Sequence, residues 1–176
     1  RVYGIISNQI GCSVKDKDYS DDGFSDGLDG KIRLNSLGEG AIWICNKNGS
    51  FENGDYISST TVTGYGAKQS DDLLHNYTVA KITCECNFDL TKVVKRRIKL
   101  VDDPTGKVIS FDIQGNMEYD DVLDTSGNQQ MVYPLETRFL QSDGTLLTDE
   151  TDYTTRLANG ESVYIACFVG CTYHCG

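Results

Sequence analysis

"ENGDYISSTTVTGYGAKQSDDLLHNYTVAKITC", residues 52–84, decides the fold. No helical period runs through it. Asn53-Gly54 supplies the positive φ values of a tight turn, and Asp55 is placed to accept backbone N–H groups as the chain returns to extended form. Thr60 to Thr63 favour extended backbone, while Gly64 and Gly66 permit a second bend around Tyr65. "NYTVAKITC" then reads as an apolar strand. Each residue type here is explained by backbone geometry, so the stretch reads as architecture and not as a reaction centre.

The same vocabulary extends outward. Short β-type runs occur at 2–7, 31–36, 41–46, 55–60, 78–86, 107–113, 131–140 and 162–170. Asn48-Gly49, Pro104-Thr105-Gly106, Asp143-Gly144 and Asn159-Gly160 punctuate them. The expected fold is mainly β, an antiparallel barrel or sandwich, with one short helix near residues 149–158. Thr148 is the expected helix cap and Gly160 its stop, with Tyr153 and Leu157 sharing a face. No internal repeat is apparent.

With 176 residues the chain suits a single β-rich domain able to bury about 70% of its extended surface. A net charge of −10 argues against nucleic acid, whose phosphates would be repelled, and leaves cations as partners. No apolar run reaches the roughly 18 residues that span a bilayer, so membrane insertion is not expected. The start at Arg1, without Met, reads as an excised or cleaved piece.

Three segments raise the question of chemistry. In the acidic loop 13–30, Asp18-x-Ser20-x-Asp22-Gly23 reproduces the first half of a calcium loop, with Asp26 and Asp29 at its ninth and twelfth positions. Calcium wants six to eight oxygens, which alternating acids can supply. Ser20 replaces an acid and no helices flank the loop, so a solvated Asp/Gly loop is the competing reading. At the other end, Cys171, His174 and Cys175 are zinc-type ligands that Cys84-x-Cys86 could complete, although the spacing is not that of a zinc knuckle. Seven cysteines cannot all pair internally; Cys45 and Cys167 lie in apolar runs and read as small buried hydrophobes, while disulfides or free thiols compete for the rest. A cysteine hydrolase using His75 or His174 lacks any recognisable signature, and neighbours such as His174 and Cys175 point apart on a strand.

Third, "TKVVKRRIKL" (91–100) places Lys95, Arg97 and Lys99 on one face of a strand and Val94, Arg96 and Ile98 on the other. It reads as a charged edge strand, or as a stripe for an anionic glycan or lipid. Residues 116–130 form an acidic connection. Asn76-Tyr77-Thr78 matches a glycosylation triplet.

"VYGIIS" at 2–7 followed by "GEGAIWICNKNGSFENGDYISSTTVTGYGAKQ" at 38–69 resembles the carboxy-terminal autocleaving intramolecular chaperone domain of phage tailspike and neck-appendage proteins. The longer form, with "NYTVAKITC" and "FVGCTYHCG", is similar to versions in virion proteins of large DNA viruses of algae and protists. The resemblance implies a chaperone-like core over 1–90, a strand-rich extension with a Cys-rich tail over 91–176, and a homotrimer on the virion surface joined to an upstream fibre protein. The family's catalytic acid lies upstream of the strand at which this chain begins, so no catalytic residue transfers. Glu39, beside Ser36, is the local acid to test as a substitute. The expected function is a structural and assembly module. The alternatives are a receptor- or glycan-binding head with Ca2+ in the 18–29 loop, and a self-cleaving peptidase.

Overall fold

The computed structural model describes residues 5–6, 34–35 and 37–174. The expected calcium loop (Asp18, Ser20, Asp22, Asp26 and Asp29), Ser36 and Cys175 lie outside the described residues. The chain divides into two compact units: one from residues up to Phe88 together with those from Thr137 onward, the other Asp89–Glu136.

In the first unit, β1 (Ile5–Ile6) pairs with β2 (Leu34–Asn35). The main sheet takes β3 (Leu37–Cys45), β4 (Tyr56–Ser59), β5 (Gly66–Lys68), β6 (Thr78–Ile82), β13 (Thr137–Gln141) and β14 (Val163–His174). The remaining strands, six between Val93 and Val132, belong to the second unit. The order β14-β3-β5-β4-β6 returns to β14, closing a five-stranded barrel as the sequence led us to expect. Every junction is antiparallel except the single parallel bridge Ile44–Gly66. β14 achieves the closure because it is long. One edge pairs with β3 over nine positions, while the opposite edge takes β13 at Val163–Cys167 and β6 at Cys171–Tyr173.

Period-two alternation sorts its side chains. Val163, Ile165, Cys167, Val169, Cys171 and Tyr173 are all buried. Opposite them on β3, Ile44 faces Cys167 and Ile42 faces Val169. Ile57 and Ile82 complete the interior with no more than 1% exposure, and each such side chain stabilises by about 1.5–3 kcal/mol. A second apolar cluster of Cys45, Val62, Ala67, Leu140 and Ala166 is rimmed by Trp43, Tyr65 and Tyr164. Arg138 lies 3.8 Å over the Trp43 ring, covering it with a cation. Cys45 and Cys167 are therefore buried in apolar surroundings, as their sequence context suggested.

The stretch that opened the reading builds β4, β5 and β6 and the turns between them. Gly54 has φ +97°, and the Glu52 N–H donates to the Asp55 carboxylate at 2.7 Å. The Lys68 ammonium then pairs with Asp55 at 2.6 Å. Gly64 turns with φ +86°, but Gly66 has a different role. A Cβ there would stand 2.4 Å from Ile57 Cγ2, so glycine lets two strands approach inside the barrel. Thr78, fully buried, donates to Gln69 Oε1 at 2.6 Å and accepts from the His75 N–H at 2.9 Å, so its hydroxyl is satisfied.

Among the described residues one α-helix, α1 (Glu150–Ala158), forms where it was expected, and Tyr153 buries against Phe139 with ring centroids 5.2 Å apart. Its cap is Asp149 and not Thr148. The Asp149 carboxylate accepts from the Thr151 and Asp152 N–H groups at 2.8 and 2.9 Å. Thr148 instead spends its own N–H on Asp152, while Gly160 stops the helix as expected: it follows the cap residue Asn159 with φ +79°, and its N–H donates to the Leu157 carbonyl at 3.0 Å. Asp149→Ala is expected to cost about 1 kcal/mol in urea unfolding, with Thr148→Ala within a few tenths of the unsubstituted chain.

Candidate functional site

Of the pair Glu39 and Ser36 expected to stand in for a catalytic centre, Glu39 is among the described residues. Glu39 lies on β3 opposite Thr172 and is exposed to water. Its intended neighbour Ser36 lies outside the described residues. His75 takes up the nearest approach to an oriented base: its Nε2 meets Asp71 Oδ1 at 2.9 Å, and its ring stacks on Tyr77 with centroids 4.6 Å apart. Asp71 is held below the usual carboxylate range, first by the Leu73 N–H and then by the His75 hydrogen bond. The other imidazole, His174, shares a hydrogen bond with the Thr172 hydroxyl at 3.1 Å and meets Tyr56 edge-on. A shallow open depression of about 560 Å3, lined by Phe51, Glu52, Asn53, Glu85 and Asn87, offers carboxylates and amides but no nucleophile.

The zinc expectation joined Cys171 to His174. Strand alternation separates them: Cys171 is buried with Val169 and Tyr173, whereas His174 falls on the other face with Thr172. Among the described residues no group of three or more His, Cys, Asp or Glu converges at metal-binding distance. Among them, too, no helix is long and apolar enough to cross a membrane.

The second unit presents a different feature. Its outgoing segment carries β7 (Val93–Val94), β8 (Arg96–Ile98) and β9 (Leu100–Asp103) in succession. Three returning segments pair with it in reverse order: β10 (Gly106–Ile109) with β9, β11 (Tyr119–Asp121) with β8, and β12 (Met131–Val132) with β7. One strand line is thus matched by three pieces. The acidic connection and the basic stretch face one another across this ladder. Arg96 Nε meets Asp121 at 3.2 Å and Lys99 Nζ meets Glu118 at 3.1 Å. Glu118 is held low, first by the Ser110 hydroxyl and then by Lys99. Part of the basic stripe is therefore already neutralised from within the chain, which weakens it as a landing strip for anions.

Between the returning pieces two turns jut out. Asp112-Ile-Gln-Gly-Asn116 and Asp124-Thr-Ser-Gly-Asn128 share one bonding scheme, a repeat that composition alone hides. In each, the Asp carboxylate accepts the Asn backbone N–H, at 2.8 and 2.9 Å, and the Asp N–H donates to the Asn carbonyl, at 2.9 and 2.8 Å. Both carboxylates are held low, Asp112 chiefly by the Asn116 side chain and Asp124 chiefly by the Asn128 N–H. The bridges Phe111–Met117 and Leu123–Gln129 close the bases of the two turns.

What this unit lacks is an inside. No residue from Asp89 to Glu136 is buried. Leu100 and Ile109, paired across β9 and β10, are 51% and 40% exposed, and Phe111 and Ile113 reach 56% and 98%. Ile98 and Tyr119, paired across β8 and β11, are exposed as well. Apolar rungs occur on both faces, because Val101 pairs with Val108 one position on from Leu100 and Ile109. Exposed ion pairs contribute about 0–1 kcal/mol each and cannot hold such a ladder together. A two-stranded ribbon in water is marginal at best. The closed barrel and the uncovered ladder are the two structural facts available to a functional reading, for no protein family, curated protein or solved structure matches this chain.

Proposed function

We propose that the chain is a structural assembly module in which copies associate through the ladder of residues 89–136, at the surface of a virion or fibre. One observation carries this reading: a ladder over residues 89–136 whose apolar rungs, Ile98–Tyr119, Leu100–Ile109 and Val101–Val108, all lie exposed and in which no residue is buried. Large apolar side chains exposed in that number mark an interface. The occupant must be present whenever the ladder folds, and a second and third copy of the same chain meet that condition. Three copies can each turn one ladder face inward and form a shared core, as the resemblance to fibre-tip domains suggests. The barrel fits the role of a stiff, closed tip, since closure leaves few open edges for unwanted pairing.

Light scattering on the purified chain tests the reading. The expected mass is three times that of the monomer at micromolar concentration, with slow amide exchange at β8 and β11. A monomer at high concentration whose ladder amides are equally protected would sink it, because the ribbon would then be stable uncovered.

A further inference from the structure

The first unit holds a pair of thiols that the assembly reading does not use. Cys86 and Cys167 are 2% and 3% exposed, and the Cys171–Ile82 register with the Thr83 N–H donating to the Gly170 carbonyl at 3.1 Å carries the chain after β6 back along β14 toward Cys167, where the two thiols come into contact. Neither is free to drift. Cys86 is fixed by reciprocal backbone bonds with Phe51, at 2.8 and 3.0 Å. Cys167 sits in the middle of β14, between Ile44 of β3 and Thr137 of β13, with its Sγ 3.8 Å from the Thr137 hydroxyl.

Their place in the chain gives the contact its significance. Phe88, two residues after Cys86, is where the first unit ends before the ladder, and it is the only described non-glycine residue with positive φ, +56°. Thr137, register partner of Cys167, is where the chain resumes that unit. The two sulfurs thus meet where the excursion leaves and returns.

We propose that Cys86 and Cys167 are a dithiol–disulfide site that cross-links the two stems of the 89–136 excursion when a small-molecule disulfide, such as oxidised glutathione, is the oxidant. Cys86 attacks first. The Cys167 S–H donates to the Cys86 sulfur, which pulls that thiol down to about 7 while Cys167 is pushed up. The Cys86 thiolate takes one sulfur of the oxidant and releases one glutathione thiolate. Cys167 then loses its proton and attacks the Cys86 sulfur of the mixed disulfide, releasing the second glutathione. Two protein thiols become one disulfide, and one oxidised glutathione becomes two reduced molecules. Cys45 is a poor competitor, because burial pushes its thiol up.

The bond would close a loop of roughly 80 residues, long enough for the cross-link to restrict the unfolded chain substantially. The full chain should be equilibrated in buffers of oxidised and reduced glutathione, quenched with acid, alkylated and mapped by mass spectrometry after proteolysis. The expected result is a linked pair of peptides containing Cys86 and Cys167, two hydrogens lighter than their sum, with Cys45 still alkylated. Oxidation should raise the melting temperature of the unsubstituted chain by several degrees and leave that of a Cys86→Ser chain unmoved. The proposal falls if Cys86 and Cys167 remain fully alkylatable after oxidation, if Cys86 links to Cys84 instead, or if the Cys86→Ser chain gains the same thermal shift.

Discussion

A chain carrying Leu100→Lys and Ile109→Glu is expected to sediment as a monomer under conditions in which the unsubstituted chain is proposed to form trimers. The two residues face each other across β9 and β10, and both are exposed within a single copy. The replacements can pair with one another as Arg96 and Asp121 do across β8 and β11, so the ladder keeps its register. What changes is the apolar surface offered to other copies. Two aliphatic side chains withheld from an interface cost about 3–6 kcal/mol per chain, at roughly 1.5–3 kcal/mol each. Association should weaken at least a hundredfold, since about 1.4 kcal/mol is a factor of ten. Amide exchange should quicken across β8 to β11 while the barrel strands keep their protection. If the variant stays trimeric with unchanged affinity, the ladder is not where copies meet.

The second large effect is expected from one glycine. Gly144 turns β13 back on itself with φ +95°, and a Cβ there would lie 2.5 Å from the Thr63 carbonyl oxygen and 2.8 Å from its nitrogen. Those atoms are backbone, already tied by the Thr63 N–H to the Asp143 carbonyl at 3.1 Å, so they cannot step aside cheaply. Gly144→Ala therefore combines a left-handed backbone, about 1 kcal/mol, with a displaced segment, about 2 kcal/mol more. For a chain of this size that amounts to a melting temperature lower by roughly 6–12 °C. Gly160→Ala supplies the comparison in the same unit: φ is +79° but nothing stands within 4 Å of the new Cβ. It should lose only about 1 kcal/mol. Equal losses at the two positions would mean that the Thr63 contact has no energetic weight.

Strand content and the helix were legible because their causes are local. Alternation in "VYIACFVGCTYH" announces an inward face, and the chain buries that face. Gly54 and Gly64 are bent as turn chemistry requires. The division of the chain was not legible. The run 131–140 reads as one apolar strand, yet Met131–Val132 belongs to the ladder and Thr137–Gln141 to the barrel sheet. Alternation tells which face is apolar but is silent about what covers it, and an interface rung has the same pattern as a core strand. Likewise the basic stretch 91–100 was visible while its neutralisation was not, because Glu118 and Asp121 reach it only through the folded register. Of the site, the thiols at 86 and 167 were visible one by one. Their meeting is a product of barrel closure, and nothing in the spacing of the two residues foretells it.

That closure also sets a timetable. Tyr173, whose hydroxyl donates to the Ala41 carbonyl at 2.7 Å, lies 132 positions further along the chain. During synthesis at roughly 5–20 residues per second, β3 and β6 wait on the order of 5–20 s for the strand that joins them. Over that interval their open edges are available to nascent neighbours on the same message. Polysomes would then bring copies together before any one of them is finished, and slow, non-local pairing becomes an opportunity for co-assembly rather than only a hazard.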